Sequence, residues 1–68
     1  MYIMKEKEAK RIKKDFKVLY LAKEVGISPA YVSLILNCKK SCPKRTAFCI
    51  TKVINKDAEI ENFFERIV

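Results

Sequence analysis

The side chains able to do covalent or metal chemistry are few, and their spacing is poor for it. The 68-residue chain has three cysteines, Cys38, Cys42 and Cys49, and no histidine. Spacings of four and seven match no common zinc pattern, which needs four ligands. Without histidine the usual general base and the commonest metal ligand are missing. The acidic residues are scattered rather than paired. No metal, no cofactor, no small-molecule substrate and no enzymatic activity are therefore expected. An odd number of cysteines argues against a disulfide framework, and no secretory signal precedes them. The expectation is a cytoplasmic protein with reduced, partly buried thiols. No apolar run approaches the ~20 residues that span a bilayer, so no membrane partner is expected.

The remaining chemistry is electrostatic. Fifteen basic residues face eight acidic ones, for a net charge of +7. Residues 1–17 carry +4, residues 18–37 carry zero, residues 38–56 carry +6, and residues 57–68 carry −3. Nothing acidic between Cys38 and Lys56 offsets Lys39, Lys40, Lys44, Arg45, Lys52 and Lys56. A polyanion is the simplest partner for such a segment.

The elements that must position these charges read as helices. Only one glycine and two prolines are present, too few turn formers for a many-stranded sheet. Ala9, Ile12 and Phe16 form an apolar stripe on a first helix over 4–14, with Glu6 and Lys10 spaced as a favourable pair. Asp15 is a candidate cap for a second helix over 16–25, whose inner face is Leu21, Ala22 and Val25. Gly26 stands where a left-handed cap is expected. Ser28-Pro29 is a start signal for a third helix to about Asn37, burying Val32, Ile35 and Leu36. Pro43 opens a fourth helix to about Asn55, with Ala47, Ile50 and Ile54 inward. Asp57 is a candidate cap for a last helix over 58–67. Residues 1–3 are expected to fray. The class is all-α, a single domain over 1–68.

Two helices joined by a three-residue turn must cross steeply. They need a small residue at the contact, a positive-φ residue in the turn and apolar inner faces. Residues 18–37, VLYLAKEVGISPAYVSLILN, supply Ala22, Gly26 and the apolar set Leu21, Val25, Val32 and Ile35. Here the chain resembles the helix-turn-helix of the Cro and phage-repressor-like (XRE) family. The likeness lies in Leu-Ala, three residues, Gly-Ile-Ser, then Val-Ser and Ile-Leu-Asn, and it extends through CKKSCPKRTA to about residue 56. It implies a compact five-helix lambda-repressor-like domain whose third helix enters the major groove of double-stranded DNA. The groove-facing residues would be Ser28, Pro29, Ala30, Tyr31, Ser33 and Leu34. The inward Val32 and Ile35 select the same face independently. Lys17, Asn37, Lys39, Lys40, Lys44 and Arg45 would hold phosphate. Beside Lys17, Val18 takes the place where the family often has glutamine. Cys38 stands where it commonly has glycine, and Asn37 is the residue expected to take the left-handed conformation there instead.

Base reading usually relies on Arg, Asn or Gln, and none lies between Ser28 and Leu36. DNA shape is then expected to add selectivity. Phe63, Phe64 and Ile67, with Val68, suggest a tail through which two copies join as a homodimer. A two-fold pair would set recognition helices about one DNA turn (~34 Å) apart. The function expected is a phage or mobile-element repressor acting by operator occupancy. The alternative is a protein-binding module, antitoxin-like or inhibitory, using Pro29, Ala30, Leu34 and the aromatic tail.

Overall fold

Local signals set most of the helices. The computed structural model describes residues 1–67. Strand β1 (Tyr2–Met4) leads into α1 (Glu6–Asp15), α2 (Val18–Val25), α3 (Pro29–Leu36), α4 (Lys44–Ile54) and α5 (Ile60–Phe63). Strand β2 (Phe64–Arg66) closes the order. Helix α1 buries Ala9 and Ile12, three apart on one face. Phe16 lies beyond its end, and the Phe16 amide donates to the Ile12 carbonyl at 2.8 Å.

Some expected caps are replaced. Lys17, not Asp15, stands at the N-cap of α2, without a side-chain hydrogen bond. Glu59, not Asp57, caps α5, because its amide and carboxylate exchange hydrogen bonds with Asn62. The ion pair on α1 joins Glu8 and Arg11 rather than Glu6 and Lys10.

Gly26 takes φ +83°, as its place in the chain suggested. Its amide and that of Ile27 both donate to the Ala22 carbonyl, closing α2. The chain then turns through 115° into α3. A Cβ at Gly26 would meet nothing within 4 Å, so the demand is on the backbone alone. Gly26→Ala is expected to cost about 1–2 kcal/mol, the left-handed penalty of an L-residue, in a urea melt. No loss would mean that the turn adopts another conformation.

A class of helices alone is corrected by a two-stranded antiparallel sheet. Tyr2 pairs with Arg66, Ile3 with Glu65 and Met4 with Phe64. Residues 1–3, expected to fray, are held. The Ile67 amide donates to the Met1 carbonyl at 2.9 Å, and Tyr2 exchanges two 2.8 Å bonds with Cys42 on the other edge. The last helix is correspondingly short. Continuing it past Phe63 would leave the β2-facing edge of β1 without a partner, whereas pairing satisfies both segments.

The sheet closes the core. Leu21, Val32, Ile35, Leu36, Cys42 and Ile50 are fully buried, and Ile12 nearly so. Phe63 and Phe64, expected at a surface for a second copy, are 4% and 1% exposed within their own chain. Of that tail cluster Ile67 is 38% exposed, and Val68 lies outside the described residues. Buried Thr51 donates its hydroxyl to the Ala47 carbonyl at 2.8 Å, so it brings no unpaired group into the interior.

Candidate nucleic-acid interface

Helix α3 begins where Ser28 and Pro29 tell it to. The Ser28 hydroxyl accepts the Tyr31 amide at 3.1 Å, and Pro29 occupies the first turn, where no amide donor is needed. The 3.6-residue period turns Val32, Ile35 and Leu36 inward. It leaves Ser28, Pro29, Ala30 and Leu34 exposed, with Tyr31 and Ser33 half-buried. The residues expected to face bases thus share the open side of one helix. Leu34 is 43% exposed, a large apolar side chain left uncovered.

The helix ends in a paired backbone lock. The Lys39 amide donates to the Leu34 carbonyl at 2.9 Å and the Cys38 amide to that of Ile35 at 3.1 Å. This is the six-to-one and five-to-two pattern that needs a left-handed residue just past the helix. Cys38 is that residue, at φ +57°, and Asn37 stays at φ −97°. The expectation had these two reversed. Asn is the better left-handed residue in isolation, but here the helix end sits one place later. The Cys38 thiol also donates to the Met4 carbonyl at 3.2 Å, tying this turn to β1.

The same lock directs Lys39 and Lys40 outward from the end of α3. Both are exposed. The Lys40 ammonium lies 5.6 Å from the centre of the Tyr31 ring, a cation–π distance that joins a phosphate candidate to a base-facing one. Lys44 and Arg45 occupy the first turn of α4, and Lys17 stands at the start of α2; all three are exposed. Among the described residues, none of these five cations is in an ion pair. By contrast, Lys52 spends its ammonium on the Lys56 and Ala58 carbonyls, and Lys5 on that of Glu61.

Asn37 differs from its expected use. Its amide nitrogen donates to the Ser33 carbonyl at 2.8 Å, and its oxygen accepts from Lys13 at 2.9 Å. Its side chain is committed within the chain rather than turned to a phosphate. Lys13 is a member of this site that its place on the polar face of α1 did not reveal.

Helix ends add to the field. A helix N-terminus carries about half a positive charge, which nearby carboxylates normally offset. Helix α1 has Glu6 and Glu8 there, and α5 has Glu61. Helices α2, α3 and α4 have no acidic residue in their first turns, and α4 has Lys44 and Arg45 instead. Positive ends and lysines coincide on the elements that carry the candidate residues.

The thiols show no shared chemistry. All three cysteines are free, and no group of three potential metal ligands comes together among the described residues. Burial pushes the Cys42 thiol up to about 11, so it is uncharged at neutral pH. Tyr31 is also raised, first by burial and then by the nearby Cys42, and it keeps its hydroxyl proton. The Cys42 shift has a stability consequence. An unfolded thiol near 9 ionises before the folded one, so stability is full below about pH 9 and falls until about pH 11. The loss is about 2–3 kcal/mol at one pKa unit per 1.36 kcal/mol. Denaturation of wild type and Cys42→Ala between these limits should show the excess slope in wild type only. Equal slopes would contradict the assignment.

Comparison with protein-family models, with curated proteins and with solved structures finds no match. No single helix among the described residues is long and apolar enough to cross a membrane. Helices α2 and α3 reach that length and hydropathy only together, and they are bent by 115°.

Proposed function

We propose that this chain is a helix-turn-helix protein of the XRE-like kind that binds double-stranded DNA, with α3 as the recognition helix. The observation that carries the reading is the open face of α3 flanked in sequence by exposed cations that are in no ion pair among the described residues. These are Lys17 before it, Lys39 and Lys40 at its end, and Lys44 and Arg45 on the next helix. Three helix N-termini without acidic residues add to the same field. Phosphate supplies the missing negative charge. The biological role that follows is transcriptional regulation by occupying an operator, as a repressor of the phage or mobile-element kind, in the cytoplasm.

Sequence reading on this account is light in hydrogen bonds. Ser28, Ser33 and the Tyr31 hydroxyl are the polar groups offered, and Pro29, Ala30 and Leu34 suit thymine methyls. Pairing of two copies remains part of the proposal, with a changed surface. Phe63 and Phe64 are committed to the core, so Ile67 and the outward edge of β2 are what the tail offers a twin.

A second reading, a module that binds protein, draws support from exposed apolar side chains. Leu19 is 71% exposed and Leu34 43%. Gel shifts with random-sequence duplex, run beside capture of protein partners on Leu34→Glu and wild-type chains, separate the two. DNA retention by wild type supports the first reading. Absence of any shift at low salt, with protein capture lost in Leu34→Glu, supports the second.

A further inference from the structure

The Ser33 hydroxyl is the most central polar group on the open face of α3, and the structure gives it a direction. Asn37 lies one helical turn later, and its amide nitrogen is 2.8 Å from the Ser33 carbonyl and 3.4 Å from the Ser33 oxygen. That nitrogen is a donor only, so the hydroxyl oxygen can receive from it but cannot donate to it. The amide is kept from flipping by Lys13, whose ammonium donates to the Asn37 oxygen at 2.9 Å from α1, 24 residues away in sequence. An ammonium has no acceptor, so the reversed amide would set donor against donor.

We infer that Lys13 and Asn37 form a positioning relay that fixes Ser33 as an outward hydrogen-bond donor, and so set which base edges α3 prefers. The inference rests on the DNA-binding reading above. The hydroxyl has one proton, and among the described residues no hydrogen bond takes it. With the Asn37 side on one lone pair, that proton points to the ligand. In the major groove guanine offers two acceptors at N7 and O6, and thymine offers O4. Cytosine offers only the N4 donor. The base reached by Ser33 is then guanine or thymine in preference to cytosine. Asn37 is a positioning residue here, since it acts through Ser33.

Asn37→Asp reverses the relay, although its new oxygen cannot bond the Ser33 carbonyl that the amide nitrogen held and must turn off it toward the hydroxyl. The carboxylate keeps Lys13 as a partner but accepts the Ser33 proton, which leaves hydroxyl lone pairs facing the groove. The preference at that single base position should move toward cytosine by roughly three- to tenfold, the worth of one neutral hydrogen bond. Selection from a random duplex pool, with wild type, Asn37→Asp and Ser33→Ala, reads this directly. Far-ultraviolet circular dichroism reports whether each variant is folded. Ser33→Ala should flatten the same position and leave the others unchanged. Asn37→Ala, which frees the hydroxyl to act either way, serves as a second variant should the aspartate unfold the chain.

Selective binding by wild type with an unshifted profile in the folded Asn37 variants would overturn the relay and leave the DNA-binding reading standing. Equal loss at every position would mean that Asn37 only holds the fold, and would also overturn it. Absence of DNA binding by wild type would overturn both.

Discussion

Replacing Lys39, Lys40, Lys44 and Arg45 together with alanine is expected to weaken binding to every duplex alike, by about a hundredfold. Each side chain is exposed and outside any ion pair, so beyond the Lys40–Tyr31 contact its removal takes little from the folded chain. Each neutralised phosphate releases condensed counterion, which gives log affinity a slope of about −0.9 per contact against log salt. Four lost contacts should flatten that slope by about 3.6. Base preference should stay unchanged, because phosphate contacts hold register without reading sequence. The stability of the variant should rise slightly or stay level, since Lys44 and Arg45 sit unfavourably at the positive end of α4. An altered sequence preference with unchanged salt slope would contradict the assignment of these residues to phosphate.

The second large effect falls on folding. Phe64→Ala is expected to cost about 3–5 kcal/mol, as truncation of a buried phenylalanine does. A chain of this length has a total stability of about 3–10 kcal/mol. The variant should therefore be largely unfolded or close to it. Phe64 is 1% exposed and sits in β2 opposite Met4, so its loss opens a cavity and loosens the strand pair that holds β1. Ile67→Ala, at a 38% exposed position, should cost less than about 1 kcal/mol. Urea denaturation with sedimentation measures both. Unchanged stability with lost self-association in Phe64→Ala would return that residue to a surface role.

The contrast between these two regions explains what could be read from sequence. Helices α1 to α4 were legible because their signals are local. Apolar residues recur at three and four, Ser28-Pro29 marks a start, and Gly26 marks a stop. The open face of α3 was legible for the same reason, since Val32 and Ile35 fix which side is left. The sheet was not. Two strands of three residues carry no periodicity, and their pairing joins Tyr2 to Arg66 across almost the whole chain. In the same tail, Ile60, Phe63, Phe64 and Ile67 fit a helical stripe as well as a short helix followed by a strand. The competing need of the β1 backbone for partners decided it.

Single-residue errors had the same origin. Asn37 was favoured for the left-handed position by its intrinsic tolerance, yet Cys38 holds it at φ +57°. The paired backbone lock demands a left-handed residue one place past the C-cap, whichever side chain stands there. Lys13 was unreadable as a site residue because its partner Asn37 is 24 residues away. The three cysteines stand as free thiols in the fold.

The central claim is that unpaired cations around α3 hold the phosphates of duplex DNA. Fluorescence anisotropy of a labelled random-sequence duplex, titrated with wild-type protein over a salt series, tests it most directly. With four to five phosphate contacts, affinity should fall by roughly two to three orders of magnitude between about 50 and 200 mM salt. Affinity independent of salt, or no binding at the lowest salt, would contradict it.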